Sequence, residues 1–89
     1  MARLKVYVVT TECVSDCELI MKDVNVYSLE YNAQKKKEDT IEQDFAPFID
    51  GHCLYVKTDE KNLFLAKSDF GEYMCRVEIT KTEVLDYSI

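Results

Sequence analysis

Four cysteines and a single histidine are the residues of this chain with the most specific chemistry. Cys13 and Cys17 lie within KVYVVTTECVSDCELI, and His52, Cys53 and Cys75 add further sulfur and imidazole donors. Four such donors around one ion make a structural zinc site. Zinc knuckles usually separate two cysteines by two residues, whereas three residues, none of them glycine, separate Cys13 from Cys17. The pattern favours a hairpin that carries two thiols, with a domain zinc-stapled through the four cysteines as the alternative.

His52 would act as a general base only beside a nucleophile and an orienting acid. Its sequence neighbour is Cys53, but adjacent residues of a strand point to opposite faces of a sheet. A pair of His52 with Cys13 or Cys75 is the remaining enzymatic alternative. The chain has no phosphate-binding loop, no dinucleotide fingerprint and no nucleophile elbow. We therefore predict a non-enzymatic protein without a cofactor or a bound metal.

Acidic residues are concentrated in one segment of a chain whose net charge is −6. The segment 38–56 contains five acids and no lysine or arginine: Glu38, Asp39, Glu42, Asp44 and Asp50. A negative field disfavours nucleic acid and anionic membranes as partners, and it suits a basic protein surface. The five acids are therefore the predicted partner-binding residues. The alternative is that they serve solubility and the positive end of a helix dipole.

Length and composition predict a single domain over residues 1–89 with an ordinary globular composition, 47% apolar and 31% charged. No apolar run approaches the roughly 20 residues that span a bilayer, and the N-terminus lacks the pattern of a signal peptide. We therefore expect a cytoplasmic protein with reduced cysteines.

The first third of the chain reads as β-structure. Leu4 to Thr10 alternates, with Leu4, Val6 and Val8 on one face and Lys5, Tyr7 and Val9 on the other, and this predicts a strand with one well-buried face. A loop over Thr11 to Asp16 follows. Cys17 to Tyr31 predicts one long strand with a bulge near Asp23, or two strands, because it is rich in β-branched and aromatic residues.

A short helix is predicted in the middle of the chain, after a polar connector over Asn32 to Asp39. Thr40 with Gln43 three residues later forms a capping-box pattern. The spacing of Ile41, Phe45 and Phe48 matches one helical face. Pro47 limits the helix to about Thr40 to Ala46, with Phe45 docked on the sheet, and Asp50-Gly51 is a turn signal.

The last third predicts further strands. Cys53 to Lys57 and Leu63 to Lys67 flank the five-residue loop Thr58 to Asn62 as a hairpin. Ser68 to Glu72 is a second turn, and Tyr73 to Thr80 is the clearest strand, with alternate residues on opposite faces.

Thr82 to Ile89 completes the pattern as an edge strand or a tail. The elements together predict an α+β fold, mostly β: a small antiparallel sheet or barrel of five to six strands with one short helix. An exposed edge of such a sheet can pair with a second copy, so a homodimer is also open.

The strand KVYVVT (Lys5 to Thr10) and the turn residues Ser15-Asp16 resemble the opening of a group of small, uncharacterised phage and Gram-positive bacterial proteins. The likeness covers less than a fifth of the chain. This chain departs from the group at VNVYSLEY, where those proteins continue into a helix rich in Lys, Glu and Ala. The resemblance implies an origin in a mobile element and assigns no catalytic residue.

These observations lead to one functional prediction. The protein is expected to be an acidic protein-binding module. If the implied phage origin holds, it is expected to inhibit a host nucleic-acid-handling or defence protein, as anti-CRISPR proteins do. A small structural or ligand-binding domain is the alternative.

Overall fold

The first and last strands pair with each other along the centre of one sheet. In the computed structural model, which describes residues 2–86 and the side chains of residues 4–84, five antiparallel strands lie in the order β2-β1-β5-β4-β3. Their bounds are β1 (Ala2–Ser15), β2 (Glu18–Tyr27), β3 (Tyr55–Glu60), β4 (Leu63–Lys67) and β5 (Met74–Asp86). Because β2 and β3 form opposite ends of this order, the sheet is open. The predicted α+β, mostly β class is confirmed, and of the two predicted alternatives the structure shows an antiparallel sheet and not a barrel.

One continuous helical segment joins β2 to β3 and covers one face of the sheet. It consists of α1 (Glu30–Thr40), a π-helical turn called here the π segment (Ile41–Phe45), and α2 (Ala46–His52). We call the whole segment the helical layer, and the face of the sheet that it leaves bare the open face. The helical layer is longer than the short helix that the sequence predicts.

Alternation along the two central strands builds the sheet side of the core. Val9 lies opposite Ile79, and Cys13 lies opposite Cys75. These four side chains and Val77 are buried beneath the helical layer, because residues two apart on a strand share a face. The predicted burial of one face of residues 73–80 is confirmed.

Phe45 anchors the helical layer on this sheet. Its side chain is fully buried, and its ring stacks on that of Phe64 with centroids 6.0 Å apart. Ala33 is also fully buried, and its small side chain lets α1 approach the strands closely. The predicted docking of Phe45 is confirmed.

The start of the helix lies ten residues earlier than predicted. Residues 32–39 are not a connector but most of α1, whose residues include good helix formers and neither glycine nor proline. Thr40 is not an N-cap. Its hydroxyl donates to the carbonyl oxygen of Lys36, 2.7 Å away, inside the helix. The capping-box pattern of Thr40 and Gln43 is therefore coincidental.

The helix also continues beyond its predicted end. Pro47 lies at the start of α2, directly after the π segment, where the regular α-helical hydrogen-bond pattern is already interrupted. Asp50 and Gly51 are helical rather than a turn, and the helix ends at Cys53, whose φ of 55° is left-handed.

The π segment keeps the buried stripe of the helical layer on the sheet. Buried or half-buried positions recur every four residues, at Ala33, Lys37, Ile41, Phe45 and Ile49. An α-helix has 3.6 residues per turn, so four such steps would carry the stripe about 160° around the axis. In the π turn, hydrogen bonds span five residues, as when the Ala46 N–H donates to the Ile41 carbonyl. The wider turn offsets this rotation of the stripe around the axis and places Phe45 between the helical layer and the sheet.

Three boundaries of the strands differ from the predictions. β1 continues to Ser15, because Thr11 and Cys13 are buried in the core rather than exposed in a loop. The turn to β2 is only Asp16-Cys17, and both residues have positive φ, as hairpin turns of two residues require. The bulge lies at Cys13/Val14 and not near Asp23.

The C-terminal hairpins follow the predicted order with tighter turns. β3 and β4 are joined by Lys61-Asn62 alone, not by a five-residue loop. The predicted turn over 68–72 is confirmed by the bond from the Gly71 N–H to the Ser68 carbonyl, 3.1 Å long. β5 extends to Asp86 beside β1, and the end of the predicted C-terminal strand, residues 87–89, lies outside the described residues.

β1 and β5 extend well beyond their neighbours at one end. β2 pairs with β1 only from Tyr7 onward, and β4 pairs with β5 only as far as Glu78. Residues 2–6 and 82–86 therefore form a two-stranded arm. The arm contributes to an elongated molecule of 51 × 23 × 18 Å.

Candidate functional site

All five acids of the predicted partner-binding set lie on the helical layer. Glu38 and Asp39 belong to α1, Glu42 and Asp44 to the π segment, and Asp50 to α2. Four are exposed, and Asp39 is half-buried. They do not surround a helix N-terminus as the alternative explanation requires, because the helix begins eight residues before the first of them. The dipole therefore gives no structural reason for these acids.

A shallow groove lies where the π segment meets α2. Its volume is about 540 Å³, and it is lined by Glu42, Ala46, Pro47, Ile49 and Asp50. Three of these residues are apolar, and the other two belong to the predicted acidic set. Turns of π-helix occur often at functional sites, and here the turn lies beside the groove. We call these five residues the acidic groove.

The five acids of the predicted set form no close ion pair among the described side chains. Among residues 4–84, ion pairs join Glu30 to Lys61 at 2.8 Å and Arg76 to Glu78 at 2.9 Å. Neither pair involves the predicted set, and in this part of the chain none of its five carboxylates has a cationic partner within 4.0 Å. The negative charge of the layer is thus available to a partner molecule.

The two buried thiols lie opposite each other in the core beneath this layer. Burial, together with the negative charge of Asp44, raises the pKa of Cys13 to about 11. Burial, with a smaller effect of Cys13, raises the pKa of Cys75 to about 12. Cys17 and Cys53 are exposed in turns at other places. Over residues 2–86, no three His, Cys, Asp or Glu side chains converge on a point that would hold a metal ion.

We expect the four thiols to divide into two classes in a labelling experiment. Cys17 and Cys53 should react rapidly with a disulfide reagent such as DTNB, whereas Cys13 and Cys75 should react only after unfolding, because the thiolate is the reactive form. Titration with and without urea, followed by peptide mass spectrometry, measures this division. Rapid native labelling of Cys75 would contradict the buried cross-strand pair.

His52 packs among aromatic rings rather than beside a thiol. Its ring stacks on Tyr73 with centroids 4.3 Å apart and an interplanar angle of 15°. Phe48 covers it at 4.7 Å. The histidine thus helps to hold the end of α2 against the start of β5, and the structure gives it no contact with Cys13 or Cys75.

Sequence reasoning identified the charges of the acidic groove but missed its apolar lining. Ala46, Pro47 and Ile49 line the groove only because the helix continues through Pro47, where the sequence predicts its end. No local signal predicts this continuation, because a proline inside a helical pattern usually ends or kinks the helix.

Comparison of the chain with protein-family models, curated proteins and solved structures finds no significant match. The resemblance to phage and Gram-positive proteins therefore rests on the residues of the first strand and turn alone. Within the described residues, no helix combines the length and the apolar character that crossing a membrane requires.

Proposed function

We propose that the protein is a non-enzymatic binding module whose helical layer engages a basic surface of another protein. The observation that carries the proposal is the acidic groove, in which Glu42 and Asp50 lie beside Ala46, Pro47 and Ile49. A lysine or arginine side chain has the matching chemistry, because its aliphatic stem packs on apolar surface while its charged end meets a carboxylate.

The remaining acids of the layer extend the same surface. Glu38, Asp39 and Asp44 belong to the same helical layer, and they follow Lys35, Lys36 and Lys37 along α1, so the acids extend the negative field from the groove only as far as residue 38. Such a field steers association and rejects partners of the same sign. Proteins that handle nucleic acid carry the complementary positive surface. The partner class that we propose is therefore a cytoplasmic nucleic-acid-handling or defence protein, which the module would inhibit by occupying its nucleic-acid site.

Reversing three charges is expected to abolish binding. The variant Glu42→Lys, Asp44→Lys, Asp50→Lys places positive charge against a basic partner, and such like-charge contacts cost several kcal/mol. This corresponds to an affinity loss of about a hundredfold or more. The measurement is capture from a bacterial lysate on the immobilised protein at low and at high salt, followed by titration of the captured partner.

The matched control is Glu18→Lys, Asp59→Lys, Asp69→Lys, which changes the net charge equally at three exposed acids outside the helical layer. The proposal is supported by a partner that binds the wild type and the control and is eluted by salt, but does not bind the Glu42→Lys, Asp44→Lys, Asp50→Lys variant. Equal affinity for all three proteins, with circular dichroism showing each of them folded, would exclude the helical layer as the binding surface.

A further inference from the structure

The open face carries an apolar patch at its arm end. In the strand register Val8 lies opposite Val26, and Leu4 lies opposite Val84. With Val6 and Val24 these residues form what we call the open-face patch: Leu4, Val6, Val8, Val24, Val26 and Val84. Their neighbours in the same rows are Thr10, Thr80, Thr82 and Glu78, so the six apolar residues meet a charge only where the row of Val24 ends.

The strand register makes the open face nearly neutral although the chain carries a net charge of −6. Beyond the patch, its charged residues in the paired positions are four acids and three bases: Glu12, Glu60, Glu78, Asp86, Lys22, Lys67 and Arg76. Arg76 bridges two of the acids, at 4.0 Å from Glu12 and 2.9 Å from Glu78. Two copies of this face can therefore meet with little net repulsion, whereas the predicted acids of two helical layers would repel each other.

The surface area left exposed is larger than a monomer of this size needs. The chain exposes 6059 Å², whereas a folded monomer of 10.4 kDa exposes about 5,400 Å². The excess of about 650 Å² is close to the roughly 800 Å² that each partner buries in a stable interface. The radius of gyration of 15.0 Å likewise exceeds the value of about 12 Å typical of this length.

We infer that the open face packs against the open face of a second copy. Two sheets that stack in this way bury their apolar rows about 10 Å apart, as in a β-sandwich. A two-fold axis places each patch against its counterpart, so a single self-complementary surface of low net charge suffices. The helical layers then lie on the two outer sides of the dimer, which leaves both acidic grooves accessible.

The test is the mass of the full chain in solution at concentrations from about 1 μM to 1 mM, the range that dimers of moderate affinity span. Sedimentation velocity should show the wild type approaching twice the 10.4 kDa chain mass. The variant Val24→Glu, Val26→Glu should raise the dissociation constant about a hundredfold or more, because it buries unpaired charges in the interface. Both valines are more than half exposed in one copy, at 54% and 60%, so the substitutions spare its core.

The matched control is Val56→Glu. Val56 is 53% exposed and also lies on an outer strand, but it is paired with Ala66 on the side of the helical layer. This variant should dimerise like the wild type. If the double variant fails to fold, the single variant Val26→Lys tests the same effect on the dissociation constant.

Two outcomes would overturn the inference. A wild type that is monomeric at every concentration excludes the dimer outright. A dimer that persists unchanged in folded Val24→Glu, Val26→Glu protein places the contact elsewhere, at the outer edges of β2 or β3. Neither outcome bears on the acidic groove, because the groove lies on the opposite side of the sheet.

Discussion

Replacing Phe45 by alanine is expected to destabilise the protein by about 3–5 kcal/mol. The side chain is fully buried and packs face to face with Phe64, so its removal leaves a cavity between the helical layer and the sheet. A domain of this length has a total stability of about 4–13 kcal/mol. The substitution should therefore unfold a large share of the molecules or bring them close to unfolding.

Urea unfolding followed by circular dichroism measures the loss. Phe70→Ala is the matched control, because Phe70 is 89% exposed and its removal should change the free energy of unfolding by no more than about 0.5 kcal/mol. Similar losses in the two variants would mean that Phe45 is not the anchor of the helical layer.

The second large effect is a loss of stability in alkaline solution. In the unfolded chain the thiols of Cys13 and Cys75 ionise around the ordinary cysteine pKa of 9.0, whereas the fold raises the pKa of these thiols to about 11 and about 12. Above pH 9 the unfolded state therefore binds fewer protons than the folded state, and the free energy of unfolding falls as the pH rises. Below pH 9 the contribution is fully present. A difference of one in pKa corresponds to about 1.4 kcal/mol, so the two thiols account for a loss on the order of 5 kcal/mol by pH 11.

Urea unfolding at a series of pH values between 7.5 and 11, with a reductant present, measures this loss. Tyrosine and lysine also titrate in this range, so the contribution of the thiols is obtained by comparing the wild type with cysteine variants. Cys13→Ala, Cys75→Ala should flatten the decline, whereas Cys17→Ala, Cys53→Ala should leave it unchanged because those thiols are exposed. Parallel declines in all three proteins would show that the buried thiols are not its cause.

Local alternation was sufficient to predict that the strands form, but not where β1 and β3 end. Cys75, Val77 and Ile79 alternate with polar residues, and this pattern is typical of a strand with one buried face. The turn over 68–72 could also be predicted, because the segment contains a glycine. Gly71 adopts a φ of 77°, which glycine tolerates better than other residues. Both features depend on residues close together in sequence.

The helix was misread because its buried stripe is not apolar where it begins. Lys37 and Thr40 are buried in α1, so the usual apolar period is absent there. The π segment then widens the turn before Phe45, so the stripe keeps a period of four residues instead of the usual 3.6. The helix propensity of residues 30–40 predicts α1 better than the apolar period does. The polar composition of the segment suggested a connector instead.

The candidate site divides in the same way. Composition located Glu42 and Asp50, because a run of acids without bases is visible in any sequence. The acidic groove also requires Ala46 and Ile49, which come beside those acids only through the π turn and the continuation past Pro47. Such an arrangement depends on helix geometry that no short pattern specifies.

The pairing of the first strand with the last also determines the order in which the chain can fold. The hairpins β1–β2 and β3–β4 each join neighbouring segments and can close early. Val9 and Ile79, in contrast, face each other across 79 − 9 = 70 positions of sequence, and contacts of such separation slow folding because the loop entropy is lost before they form. We therefore expect β1–β5 pairing to be the late, rate-limiting event, with Cys13 and Cys75 apart and accessible to oxidants until it occurs.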